Sequence, residues 1–177
     1  MLIFRYYRQL VEQVDKWTAE MIQRYRRHLM CRKGCDLCCQ RKFSVSAVEA
    51  YNVASLFHQL PAAVKSAIRK RKRSCTFLVN GACSVYESRP IICRTYGLPS
   101  LHRNEKAEGE VSWCELNFTN VPNDFAFQAD GIIDIDTLNV KIEGVNSMFL
   151  KESGLSPQRI AMDEIPDLDT RILQSSN

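Results

Sequence analysis

Cys31-Arg-Lys-Gly34-Cys35-Asp-Leu-Cys38-Cys39 puts four thiols within nine residues, and the rest of the chain reads as scaffold around that stretch or as completion of it. A thiol in a core behaves as a small hydrophobe, but a core helix spaces its apolar residues by three and four and keeps Gly, Asp, Arg and Lys from among them. This stretch does neither. Gly34 permits a tight turn that aims Cys31 and Cys35 at one point.

Four more cysteines follow at Cys75, Cys83, Cys93 and Cys114, an even total of eight. Eight thiols make either a disulfide framework or metal sites, and the compartment decides between them. The first apolar run is only Met1 to Phe4, and Arg5 and Arg8 interrupt the residues after it. No secretory signal is read, so the thiols are expected to be reduced, in a cytoplasmic protein. At 177 residues and 45% hydrophobic content, one domain with one core is expected over residues 1–177, with the cysteine cluster at 31–114 and a C-terminal helix and tail at 130–177. No window is apolar for long enough to predict a membrane span. The formal charge of +4 conceals an asymmetry: residues 1–100 carry 18 Lys and Arg against 6 Asp and Glu, or +12, and residues 101–177 carry 6 against 14, or −8. Seven of the eight cysteines lie in the basic part. Cations near concentrated thiolates lower the free energy of that negative charge, so this basicity needs no nucleic acid to explain it.

The spacing predicts an amphipathic helix over residues 10–29, with Leu10, Val14, Trp17, Met21 and Tyr25 on one stripe, delivering the chain to Cys31. Ser46 and Glu49 form a capping box ahead of Tyr51, Ala54, Phe57 and Leu60, a second helix. Pro61 suits the first turn of a third, with Val64 and Ile68 inward, which ends in the cation run Arg69 to Arg73. That run invites a nucleic-acid reading, but cations favour a helix C-terminus and no aromatic residue interleaves them as a stacking platform, so nucleic acid is not the favoured partner. Asn80-Gly81, flanked by short runs rich in Phe, Val and Tyr, predicts a type I′ hairpin in which Cys83 pairs near Leu78, with Cys75 at the open end. Pro90 starts and Gly97 ends a short helical turn that carries Cys93, and Arg94 is placed beside that thiolate. Residues 100–112 read as a loop, before Trp113-Cys114 restores apolar character. A last helix is read with Asp136 as its cap, a stripe of Leu138, Ile142, Val145 and Phe149, and Gly154 after its end; a short wrapping tail comes next and frays after about Leu173.

Metal binding leads the chemistry. Zinc prefers four tetrahedral ligands from paired C-x2-C knuckles, and only Cys35 to Cys38 has that spacing. The C-x3-C-x2-C of Cys31, Cys35 and Cys38 suits three corners of a four-iron, four-sulfur cube, which tips the balance towards an iron-sulfur cluster over zinc. The same spacing marks radical S-adenosylmethionine enzymes, but the repeating strand and helix pattern of their scaffold is missing here. Other candidates are thin. His28 could substitute as a ligand, though a surface place at a helix end is the stronger reading; His58 reads as structural. Asn117-Phe-Thr119 matches a glycosylation acceptor without meaning in a reduced compartment, and Asp163, Glu164, Asp167 and Asp169 read as a solvated acidic tail rather than a hard-cation site.

The order Cys31-x3-Cys35-x2-Cys38-Cys39, Cys75, Asn80-Gly81-Ala-Cys83-Ser-Val-Tyr86 and Arg89-Pro90-x2-Cys93-Arg94-x-Tyr96 resembles the bacterial YkgJ-like family of zinc- or iron-chelating cysteine-cluster proteins, from about Cys31 to Cys114. A Pro often follows the position of Cys75 in that family, where this chain has Thr76. The resemblance implies metal binding by all eight: Cys31, Cys35, Cys38, Cys39, Cys75, Cys83, Cys93 and Cys114. A related cluster in flagellin lysine methylases implies a methyl-transfer context as an alternative, although no cofactor-binding glycine motif is evident. The expectation is therefore a mainly α, compact helical domain with one small β-hairpin, organised around a cysteine-ligated metal site that holds an iron-sulfur cluster or zinc. A cluster-dependent modifying enzyme and a zinc-stabilised nucleic-acid module are the alternatives.

Overall fold

The computed structural model describes residues 4–32, 34–71, 75–122 and 125–174. Its first helix, α1 (Arg5–Arg24), buries Tyr7, Leu10, Val14, Thr18 and Met21 on one face, with Trp17 partly buried beside them. The helix starts a turn earlier than the stripe suggested, because Tyr7 continues the same face, and it stops at Arg24 rather than near Leu29. Tyr25 caps it from within the core, and His28 N–H donates to Tyr25 O at 2.8 Å to turn the chain towards Cys31.

A short strand, β1 (Ser44–Ser46), leads directly into α2 (Ala47–Gln59). The capping box is present: Glu49 Oε2 accepts from Ser46 N at 3.0 Å and from Ser46 Oγ at 2.7 Å. Apolar residues surround α2 on most sides, as a helix at the centre of a fold requires. Tyr51, Val53, Ala54 and Phe57 are all buried along it. α3 (Ala62–Lys70) follows Pro61 and buries Ile68. The cation run begins inside this helix, and its first member is already engaged: Arg69 Nη1 meets Asp167 Oδ1 at 2.6 Å, and Nη2 donates to Pro166 O at 2.8 Å. Lys72 and Arg73 lie outside the described residues.

The hairpin forms as its sequence dictates. β2 (Leu78–Val79) pairs antiparallel with β3 (Ala82–Cys83), Leu78 opposite Cys83 and Val79 opposite Ala82. Asn80 (φ 52°) and Gly81 (φ 75°) supply the two left-handed residues of the turn. The turn to α4 (Ile91–Thr95) has Pro90 at its N-cap, and Gly97 (φ 91°) reverses the chain after it.

Residues 100–112 are not a loop. β4 (Ser100–Arg103) and β5 (Gly109–Ser112) form a second hairpin, and β6 (Ile133–Asp134) adds parallel to β4, giving a three-stranded sheet in the order β5-β4-β6. The sequence concealed this because residues 102–110 are all exposed, so no apolar alternation marks the strands. Ala107 (φ 62°) and the Asn104 side chain, which accepts from Lys106 N and Glu108 N, shape the turn between them.

Asp134, not Asp136, caps the last helix, α5 (Ile135–Ser153): its Oδ1 accepts from Thr137 N at 3.0 Å, while Asp136 pairs with Arg103 at 3.0 Å. Leu138 and Phe149 are buried on the stripe, Ile142 and Val145 partly so, and Gly154 (φ 69°) closes the helix. The tail wraps back, and β7 (Arg159–Ala161) pairs antiparallel with β1, while residues 165–167 and 170–174 form short helical turns against α2. His58 Nε2 sits 3.0 Å from Leu168 O, joining α2 to the tail, and Asp169 pairs with Arg171 within it. The molecule is thus mainly helical with small sheets. Among the described residues no helix is long and apolar enough to cross a membrane.

The core lies between α1, α2 and α5. Phe4 stacks on Phe149 at 5.6 Å, and Tyr51 reaches the same ring at 5.8 Å. Burying a phenylalanine of this kind contributes about 2–3 kcal/mol. No cysteine belongs to the buried set; the thiols occupy one side of this core.

Candidate metal centre

Five separate segments bring the thiols to that side. Cys31 and Cys35 stand on the loop after α1, where Cys35 N–H donates to Arg32 O at 2.9 Å and Gly34 (φ 93°) makes the turn. Cys38 and Cys39 are successive residues of the short 3-10 helix Leu37–Gln40. Cys75 is tied to it, its N–H donating to Cys39 O at 2.6 Å. Cys83 ends the hairpin, Cys93 lies in α4, and Cys114 follows β5. All eight are free thiols.

They fall into two neighbouring groups. In the first, Cys31 and Cys114 meet across Gly97: a Cβ added there would lie 3.1 Å from Cys114 Cβ and 3.4 Å from Cys31 Sγ. Glycine is required both for that approach and for the left-handed backbone. Burial of its sulfur raises the Cys31 thiol pKa, Asn117 partly offsets this by hydrogen bonding, and Cys35, Cys114 and Cys38 push it further up. Cys114, distant in sequence from every other cysteine, is therefore a neighbour of Cys31.

The second group gathers Cys38, Cys39, Cys75, Cys83 and Cys93. A thiol hydrogen bond to Cys39, together with burial, pushes Cys38 well up. The largest single influence on Cys39, its contact with Cys38, lowers it, but Cys75, burial and Cys83 together outweigh that and raise it to about 11. Cys75 is lowered by accepting from Cys39, against its burial. Burial and the neighbouring Cys83, Cys38 and Cys39 push Cys93 up to about 12, with Arg89 opposing them. Burial also raises Cys83, which Arg89 again opposes. Thiols held protonated this way release protons when a metal takes them as thiolates. Among the described residues no three His, Cys, Asp or Glu side chains stand close enough to hold a metal ion as they are.

The cation that faces these thiols is Arg89. Its guanidinium lies 3.6 Å from the Tyr86 ring centroid, and Nη1 reaches Cys93 O at 3.5 Å. Arg94, expected beside the thiolate, points the other way: its buried side chain donates to Asp15 Oδ1 at 2.7 Å, to Glu87 O at 2.6 Å and to Arg89 O at 2.8 Å. A helical residue one position beyond Cys93 projects about 100° around the axis, so adjacency in sequence does not mean adjacency to the sulfur. Arg94 instead clamps α4 to α1.

Two positioning residues escaped the sequence reading. Asn117, nearly fully buried, accepts from Met30 N at 2.8 Å, donates to Gly97 O at 2.7 Å and contacts Cys31 Sγ at 3.5 Å. It joins the loop before Cys31, the turn after α4 and the segment of Cys114, three stretches whose meeting no local pattern announces. Glu49, recognised only as a cap, also accepts from Ile91 N through Oε1 at 2.9 Å, and so sets the start of α4 and the place of Cys93. His28 stacks on Phe118 at 5.7 Å within an aromatic group that includes Phe125 and Phe127, and His102 is exposed on β4.

Residues 30–115, just under half of the chain and including all eight cysteines, match the family model CxxCxxCC, described as a "putative zinc- or iron-chelating domain". Three residues rather than two separate Cys31 from Cys35 here. No curated protein and no solved structure matches the chain.

Proposed function

We propose that this protein, whose residues 30–115 match the CxxCxxCC model of a zinc- or iron-chelating domain, holds metal at two adjacent four-thiolate sites. One comprises Cys31, Cys35, Cys38 and Cys114, the other Cys39, Cys75, Cys83 and Cys93. The observation that carries this reading is the gathering of thiols from five segments into two groups that meet at the consecutive residues Cys38 and Cys39. Neighbouring side chains on a 3-10 helix diverge by about a third of a turn, which suits one ligand to each site. The donor set is all sulfur, fitting zinc or an iron-sulfur cluster and excluding hard-cation sites. Iron-sulfur is favoured: a cluster spans more volume than one ion, and C-x3-C-x2-C supplies three of its corners. Bound metal would join the loop after α1, the hairpin, α4 and the Cys114 segment, a structural role at the least.

Elemental and sulfide analysis with a visible spectrum, on protein purified without oxygen, tests this. Iron with acid-labile sulfide and broad visible absorption is the expected result. Cys114→Ser should remove metal from one site and Cys93→Ser from the other. Colourless protein with zinc in tetrathiolate sites would keep the two-site arrangement and change the metal; a chain that retains neither metal would end the proposal.

A further inference from the structure

One pair of thiols is poised for chemistry with each other when metal does not cover them. Cys39 and Cys75 lie 36 positions apart in sequence, yet the Cys75 N–H donates to Cys39 O at 2.6 Å and the two thiols are close enough that each shifts the other's pKa. The path from one Cα through carbonyl, hydrogen bond and N–Cα bond cannot exceed about 6.5 Å, inside the window of about 4.4–6.8 Å that a disulfide spans. Both residues are partly exposed, so a small reagent can reach them. The chain-adjacent pair is worse placed. Cys38 and Cys39 are chain neighbours, so a bond between them would force the peptide that links them out of its ordinary geometry. Cys31 takes the Asn117 amide on its sulfur.

We infer that Cys39 and Cys75 form an oxidation-sensitive dithiol, converted by a small disulfide such as glutathione disulfide into an intramolecular disulfide whenever metal is absent. The thiolate of one residue attacks a sulfur of glutathione disulfide, forming a mixed disulfide and releasing one glutathione thiolate. The second residue's thiolate then attacks the protein sulfur of that mixed disulfide and releases the other. The protein loses two electrons and two protons, and both glutathiones leave as thiols. The consequence rests on the metal-chelating reading: the disulfide withdraws two of four ligands from one site, so reloading waits for reduction.

The test treats the full chain, metal removed by a chelator, with graded glutathione disulfide, and maps the first disulfide by peptide mass spectrometry. In native buffer the first bond is expected between Cys39 and Cys75. In urea, where loop closure alone sets the preference, short-range pairs such as Cys35 with Cys38 should replace it. Short-range pairs in both conditions overturn the inference. Cys39→Ser should lose the first disulfide at glutathione disulfide levels that oxidise the parent completely, and Cys114→Ser should keep it. Equal oxidation of Cys39→Ser and the parent also overturns it; should the variants not fold, mapping of the parent in the two buffers decides. A chain found to retain no metal at any stage but still forming Cys39–Cys75 would end the chelation reading alone, whereas metal retention with a different first pair would end this inference alone.

Discussion

Replacing Asn117 by Ala tests whether the first group of thiols is held by the protein rather than by metal alone. The side chain accepts from Met30 N–H and donates to Gly97 O, both at less than 3 Å, and it is nearly fully buried. Two neutral hydrogen bonds contribute about 1 kcal/mol each, and the space left by a truncated buried side chain adds to that, for a total of roughly 2–4 kcal/mol. Gly97 O retains a weaker donor in Cys114 N at 3.4 Å, which holds the figure towards its lower end. The expected outcome is a fall in unfolding free energy of that size in urea at fixed metal, with metal lost from the site of Cys31 and Cys114 and kept at the site of Cys75 and Cys93. Asn117→Asp should behave similarly, because it keeps the acceptor for Met30 but sets a carboxylate oxygen against Gly97 O. Stability within about 0.5 kcal/mol of the parent and full metal content, the ordinary result of a surface change, would refute the reasoning.

Glu49→Gln keeps one acceptor and turns the other into a donor facing an N–H, so urea unfolding should show a loss of about 2–3 kcal/mol, and metal content should fall with Cys93's site rather than with Cys31's. Tyr7 Oη is buried without a hydrogen-bond partner among the described residues, so Tyr7→Phe is expected to leave stability unchanged or raise it by up to about 1 kcal/mol, read as an unshifted or higher Tm. Arg103 holds the Asp134 carboxyl at about 2, below its value in an unfolded chain, so its contribution is present above about pH 4 and is lost as pH falls towards 2. Asp134→Asn, which can still cap α5, should therefore differ in stability from the parent at pH 6 and low salt and converge with it near pH 2; a gap independent of pH and salt would contradict this. Chelation should leave most far-UV helical signal while exposing residues 30–42 to proteolysis, and complete loss of helical signal would show that metal organises the core as well.

The parts of the fold legible in the sequence are those whose signal is local. Ser46 with Glu49, and Asn80 with Gly81, state their own geometry within a few residues, and both motifs stand where they were read, the hairpin to its register. What was illegible depends on partners far away. β1 finds β7 more than a hundred residues later, and β6 joins β4 across thirty, with strands of two to four residues too short to carry a period. At the thiols, the spacing singled out the cysteines but not the side chains that present them, since Asn117 and Glu49 act through backbone atoms, which leave no mark in sequence. Arg94 and Arg89 show the converse error: the cation nearer in sequence to Cys93 serves α1, and the one a turn earlier faces the sulfur.

That division bears on what the metal does for the fold. The large buried side chains Phe4, Tyr7, Phe57 and Phe149 come from α1 and the residue that caps it, α2 and α5, none of which carries a cysteine. Several such residues at about 2–3 kcal/mol each give this half of the molecule an apolar core of its own. Small metal-dependent domains lack that reserve, which is why they unfold when the metal leaves. On the thiol side the segments are fixed instead by polar struts, Glu49 to Ile91, Arg94 to Asp15 and Asn117 to Gly97, each joining a cysteine-bearing stretch to the helices or to another such stretch. The sulfurs are therefore brought near one another by the protein before any metal arrives, and thiolate repulsion is eased in the meantime because burial and proximity raise the Cys31, Cys38, Cys39, Cys83 and Cys93 thiols. Under the proposed chelation, metal would draw to ligand distance thiols that the fold has already gathered, so its removal and oxidation of Cys39 with Cys75 are expected to be local events rather than unfolding.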